Sequence, residues 1–212
     1  MTDPARLYLV TPVVDAPEPF AATLVAALDA ARIDCVLLRL PPHDDGARRK
    51  VAGALVPLVQ ARGAALLVED DTRLAAAVGA DGVHVTGAGD DLAGALRSLK
   101  PARIVGAGRL AGRDAAMEAG EAGADYLMFG DDPAPFDERL ERVAWWAEIF
   151  QVPCVAWAAS LAEVEPLAEA GAEFVALGDA VWADPRGAAA AVAEAAATLA
   201  RVAEAAAALA DR

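Results

Sequence analysis

The sequence has little that would work through a disulfide or a thiolate-bound metal. Its 212 residues hold two cysteines, Cys35 and Cys154, and two histidines, His43 and His84. Each cysteine lies inside an apolar run with no metal-ligand spacing around it, so both read as buried free thiols, and a reducing cytoplasm is the expected compartment. Aromatic residues are only 5% of the chain. No apolar run approaches the roughly 20 uninterrupted residues of a membrane-spanning helix. Positive charge is scarce as well: 18 Lys and Arg stand against 32 Asp and Glu, a net charge of −14. That balance argues against nucleic acid or an anionic membrane as partner and leaves a small molecule as the expected ligand. The polar segment Met1 to Arg6 leads straight into an apolar run, which does not read as a signal peptide.

What the sequence does have is a repeat of short apolar runs: Leu7 to Thr11, Cys35 to Leu40, Ala65 to Glu69, Gly82 to Thr86, Arg103 to Gly108, Tyr126 to Gly130, Cys154 to Ala158 and Phe174 to Gly178. Between them lie helix-compatible segments: Pro19 to Arg32, Asp45 to Arg62, Thr72 to Val78, Asp91 to Leu99, Gly112 to Ala122, Asp137 to Phe150, Leu161 to Ala170 and Pro185 to Asp211. The runs are apolar throughout rather than alternating, as in parallel strands covered on both faces. Eight such units predict an α/β protein with the (β/α)8 barrel architecture, spanning residues 1–212 as one domain. An open doubly wound sheet is the alternative.

Three phrases recur just before strands, Gly79-Ala80-Asp81, Gly123-Ala124-Asp125 and Gly171-Ala172-Glu173. Each places a glycine at a helix end and an acid at the start of a strand, the face opposite the chemistry, and so reads as a stability feature. From about residue 185 the chain becomes a long alanine-rich helix. Val192, Ala195, Leu199, Val202, Ala206 and Leu209 form an apolar seam along it. Either its first half covers the barrel and its second half projects, or the seam is a homodimer contact.

Barrel chemistry sits at the carboxyl ends of strands. Those ends carry Thr11, Arg39, His43, the run Glu69-Asp70-Asp71, Thr86, Asp90, Asp91, Arg109, Asp131, Asp132, Asp179 and Asp184. So acidic a mouth becomes tolerable around a cation, and Asp70 with Asp91 or Asp90 is a candidate pair for Mg2+. Any one of these acids also has a bland reading as a helix N-cap, Asp71 before Leu74 for instance. His84, between Val83 and Val85, points either into the barrel or toward the helices, and a lone strand histidine is more often a packed core residue than a catalyst.

The opening Leu7-Tyr8-Leu9-Val10-Thr11, the stretch Leu66 to Val85, and Gly123-Ala124-Asp125-Tyr126 with Gly130 resemble thiamine phosphate synthase over nearly the whole chain. The most specific segment is Val78-Gly79-Ala80-Asp81-Gly82-Val83-His84-Val85. The resemblance implies a (β/α)8 barrel that joins a hydroxymethylpyrimidine diphosphate to a thiazole phosphate with Mg2+, expelling diphosphate through a pyrimidine carbocation. Carried over position by position, it implies Arg39 as catalytic residue, Asp70 and Asp91 as metal ligands, and Glu69, Arg109 and Asp179 at the substrate.

Many of the family's positions are changed. Its Gln-x-Arg-x-Lys falls on Leu37, Arg39 and Pro41, and its Asn-Asp on Glu69 and Asp70. Gly108 and Asp179 stand at serines, and Ala158 and Ala159 at the glycines that cradle phosphate. The Thr-x-Thr-Lys loop is replaced by Asp131 to Glu138, and Leu110 stands where a related thiazole tautomerase has histidine. One charge-assisted transition-state contact is worth about 3 kcal/mol, roughly a hundredfold in rate. With several replaced together, synthase activity is expected to be weakened or lost. The alternative is a catalytically inactive barrel whose acidic mouth binds a cationic, phosphate-free ligand, with Trp157 as a stacking surface.

Overall fold

The computed structural model describes residues 4–42, 44–131 and 134–210. Eight parallel strands close into a barrel in chain order: β1 Arg6–Val13, β2 Cys35–Arg39, β3 Ala65–Glu69, β4 Gly82–Thr86, β5 Ile104–Gly108, β6 Tyr126–Phe129, β7 Cys154–Ala158 and β8 Phe174–Leu177. The helices around it are α1 Phe20–Ala30, α2 Asp45–Gln60, α3 Thr72–Val78, α4 Asp90–Leu99, α5 Arg113–Glu121, α6 Phe136–Ile149, α7 Val164–Glu169, α8 Asp179–Trp182 and α9 Ala188–Ala210.

The strand runs are apolar throughout because each face meets a different core. Tyr8, Val10, Cys35, Leu37, Leu67, Tyr126, Met128, Val155 and Ala176 point inward and pack on one another. Their neighbours Leu7, Leu9, Val36, Leu38, Leu66, Val68 and Val83 point outward and pack under the helices. Alternation along the pleat thus divides one apolar run between two cores.

The three recurrent phrases act as read, at the amino-terminal face. Asp81 accepts from Leu66 N at 2.7 Å, Asp125 from Val105 N at 2.7 Å, and Glu173 from Cys154 N at 2.8 Å. Each acid before an even-numbered strand thereby satisfies an amide at the start of the odd-numbered strand beside it, where the ladder supplies no partner. Lys100 also pairs with Asp125. The glycines of the phrases all have positive φ, the left-handed ending of a helix.

Three features differ from the sequence expectation. Leu161–Glu163 is a 3-10 turn that leads into α7, and the four-residue α8 is an additional helix after β8. Trp182 of α8 donates its indole N–H to Val10 O at 2.6 Å and packs against Phe20, tying this helix to β1 and α1. The last helix begins at Ala188 rather than near 185, because Asp184 accepts from Arg186 N at 2.8 Å and Gly187 turns with φ +94. On α9, Ala188, Ala191, Val192, Ala195 and Leu199 are buried, whereas Leu209 is 69% exposed. No helix among the described residues is long and apolar enough to cross a membrane.

Candidate active site

The carboxyl ends of β2, β3 and β4 bring together the residues that the sequence placed at the mouth. Arg39 ends β2; its backbone N–H donates to Thr11 Oγ1 at 3.0 Å, and its Nε lies 3.4 Å from both carboxylate oxygens of Glu69 at the end of β3. Both side chains are partly exposed, so the pair remains open to a ligand.

Asp70 follows with φ +52, an uncommon conformation for a residue with a side chain. Three contacts over-determine it. Its N–H donates to His84 O at 3.0 Å, and its carboxylate accepts from Thr86 N at 2.7 Å and Thr86 Oγ1 at 2.5 Å. Such strain persists where surroundings hold it, and here it swings a carboxylate across to β4. Asp71 turns the other way: it caps α3 through Leu74 N at 2.8 Å and pairs with Arg48 at 2.8 Å. Of the three consecutive acids, one balances Arg39, one spans the mouth and one caps a helix.

Inside the mouth, His84 points into the barrel. It is 1% exposed, and its Nδ1 lies 2.8 Å from Tyr126 Oη. Burial chiefly holds its pKa down to about 4; the Arg109 charge lowers it too, and Asp70 opposes them. The ring is therefore neutral near pH 7. A Cβ on Gly108 would fall 2.6 Å from His84 Nε2 and 2.7 Å from Asp131 Oδ2, so the missing side chain there is what leaves room for both groups. Arg109, with φ +50, turns its amide onto both oxygens of Asp131 at 3.0 Å each. Its side chain stays at the exposed rim.

The other expected residues are more loosely placed. Asp90 and Asp91 are exposed in the first turn of α4, whose N-cap is Gly89, so neither is itself the cap. Asp179 is the exposed first residue of α8. Trp157 lies across Gly178, where a Cβ would meet its ring at 2.7 Å, and is partly buried against the inner core. His43 and Asp132 lie outside the described residues.

One pair near the mouth went unread in the sequence. Arg139 of α6, only 6% exposed, donates to Trp157 O at 2.8 Å and to Glu163 Oε1 at 2.9 Å. Glu163 Oε2 in turn accepts from Ala159 N at 2.8 Å, so a protein carboxylate already takes an amide of the loop after β7. Nothing in the local pattern of either helix marks the pair, because the partners stand 24 positions apart.

Among the described residues, no three His, Cys, Asp or Glu side chains gather as a metal cage. Mg2+ does not require one, since it is commonly held by one or two carboxylates together with substrate phosphates and water. The fixed carboxylate of Asp70 fits that form, with Asp91 or Asp90 one βα unit away.

A closed (β/α)8 barrel with an arginine and a fixed aspartate at adjacent carboxyl strand ends defines the class as a TIM-barrel protein with its candidate site at the carboxyl face. The comparisons then give the family: residues 7–181 match the family model described as thiamine monophosphate synthase. Thiamine-phosphate synthase of Rhodospirillum centenum is 44% identical over 202 residues, 92% of this chain and 97% of the relative. That of Erythrobacter litoralis is 36% identical, over 90% of this chain and 95% of the relative. Among solved structures, the thiamine phosphate pyrophosphorylase of Pyrococcus furiosus superposes with a TM-score of 0.81 at 24% identity, over 93% of this chain and 96% of that one. The fold is shared more widely: a 3-hexulose-6-phosphate synthase of Salmonella typhimurium has a TM-score of 0.73 at 17% identity, covering 95% and 100%. The chain belongs to the thiamine monophosphate synthase family.

Proposed function

We propose that this chain performs its family's reaction, joining a hydroxymethylpyrimidine diphosphate to a thiazole phosphate with loss of diphosphate, at a reduced rate. The observation that carries the reading is the row Arg39, Glu69 and Asp70, which sets a guanidinium beside Glu69 and, at the next residue, a second carboxylate fixed by Thr86 of β4. In this reading Arg39 neutralises the leaving diphosphate. Asp70, with Asp91 or Asp90, would hold Mg2+, which supplies further charge neutralisation to that leaving group. Arg109 reaches the second phosphate from the rim.

The reduction in rate follows from charge. Glu69 and the exposed Asp179 would face phosphoryl oxygens where the family offers an amide and a hydroxyl, and Pro41 offers no cation. Each lost contact costs about 3 kcal/mol of transition-state stabilisation, although such losses do not simply add.

The test is the purified protein with both family substrates and Mg2+, beside Arg39→Ala and Asp70→Asn. Slow formation of thiamine phosphate, falling by about a hundredfold in either variant, supports the reading. Product no higher than a no-enzyme control removes it. A second reading is favoured by Glu163 on Ala159 N: with that amide taken, the mouth would suit a cationic, phosphate-free ligand over Trp157. Calorimetric titration separates the two, since preference for thiamine phosphate over thiamine counts against this second reading.

A further inference from the structure

Three side chains from three strands form a hydrogen-bonded chain through the barrel interior, with Cys35 of β2 packed in the same inner cluster. Tyr8 Oη of β1 lies 2.9 Å from Tyr126 Oη of β6, and Tyr126 Oη lies 2.8 Å from His84 Nδ1 of β4. All three are buried, and burial keeps both phenols protonated and the imidazole neutral, so every member enters the chain as a neutral group.

Neutral members leave two ways to run the donors. In one, His84 Nδ1–H donates to Tyr126 and Tyr126 to Tyr8. That order leaves the Tyr8 hydroxyl hydrogen no acceptor within the chain and turns the bare Nε2 lone pair toward the gap flanked by the Asp131 carboxylate, setting acceptor against acceptor. In the other, Tyr8 donates to Tyr126 and Tyr126 to His84 Nδ1, so that both hydroxyl hydrogens are used within the chain and Nε2 carries the ring proton toward the gap that Asp131 flanks. The second order is the one in which no acceptor faces an acceptor.

We propose that Tyr126, itself held by Tyr8, is a positioning residue that fixes His84 as the Nε2–H tautomer and aims that N–H into the gap above Gly108 shared with the Asp131 carboxylate. Gly108 is part of the device, because any Cβ would fill the gap. Gly106 is too: a Cβ there would fall 2.0 Å from Tyr126 Cζ, so its absence lets the phenol reach across to His84. Arg109 N donates to Asp131 from the chain beyond β5, so the carboxylate that flanks the gap has its direction fixed by a backbone amide. The result is one negative group of fixed direction on the floor of the mouth. In the synthase reading, on which this role at the mouth rests, such a group stabilises positive charge on a pyrimidine as its diphosphate leaves.

Nitrogen-15 NMR of histidine-labelled protein without any substrate tests this directly, and with two histidines in the chain the spectrum is simple to assign. At neutral pH the expected His84 pattern is a pyridine-type Nδ1 and a pyrrole-type Nε2. Tyr126→Phe should lose that single tautomer and give a mixture, while Tyr8→Phe, which keeps the Tyr126 hydroxyl, should give a partial change. A pyrrole-type Nδ1 in the unmodified protein overturns the proposal, as does a Tyr126→Phe spectrum identical to it. If Tyr126→Phe does not fold, the unmodified spectrum and Tyr8→Phe still decide. Because no turnover is involved, a protein that lacks synthase activity but shows the expected tautomer would refute the functional reading alone.

Discussion

Gly108→Ser installs the residue that the family resemblance implies at that position, and the geometry predicts that it does harm. The new Cβ would sit 2.6 Å from His84 Nε2, 2.9 Å from His84 Cε1 and 2.7 Å from Asp131 Oδ2, with the hydroxyl still to be placed. All three atoms belong to anchored groups: the imidazole is tied to Tyr126 and the carboxylate to Arg109 N. Contacts that short must be relieved by shifts of several tenths of an ångström in groups with little freedom. Overpacking of this kind costs about 1–3 kcal/mol. In a chain of this length each kcal/mol lowers Tm by about 2–4 °C. Urea and thermal unfolding of Gly108→Ala and Gly108→Ser should both show the loss, with serine at least as costly, and synthase turnover should not improve. A Gly108→Ser protein of unchanged stability, or with tenfold faster turnover, would refute the reasoning.

Other outcomes follow from the same contacts. Arg139→Ala leaves Glu163 without its buried partner and should cost about 3–5 kcal/mol in urea unfolding, and Glu163→Gln, whose single amide oxygen must serve both Arg139 and Ala159 N, should cost a similar amount. His84 stays neutral in the folded chain down to about pH 4, while the unfolded chain binds a proton near its ordinary value of about 6.5. Its contribution is full above about pH 6.5 and declines as pH falls; by about pH 5 the loss is about 2 kcal/mol. Unfolding measured in metal-free buffer should show this slope, and His84→Asn should flatten it. Removing the chain after Ala203, where α9 is exposed, should leave Tm nearly unchanged. Should the seam instead hold a homodimer, sedimentation would show that truncation shifting the protein to monomer.

The barrel was legible in the sequence because parallel strands covered on both faces become continuous apolar runs, and eight of them alternated with helices. The acids of the three recurrent phrases were legible too, since a glycine helix ending followed by an acid has one place to go in such a unit. The mouth was legible only as a set. Three consecutive acids after β3 look alike in the sequence, yet a positive φ at Asp70 sends one across to Thr86, while Asp71 caps α3. The interior chain could not be read at all: Tyr8 and Tyr126 meet across 118 positions, and His84 and Tyr126 across 42. A lone histidine in a strand carries no mark of a tyrosine on the far side of a barrel. Helix α8 was hidden by its length, since four residues show no period.

In the proposed function the altered mouth still performs the family's chemistry, slowly, through Arg39 and Asp70. A single-turnover assay with excess purified protein, both family substrates and Mg2+, following thiamine phosphate and diphosphate together, tests it most directly. Equal amounts of the two products are expected, formed slowly and suppressed about a hundredfold by Arg39→Ala. Product absent at every protein concentration, or a rate indifferent to both Arg39 and Asp70, would contradict it.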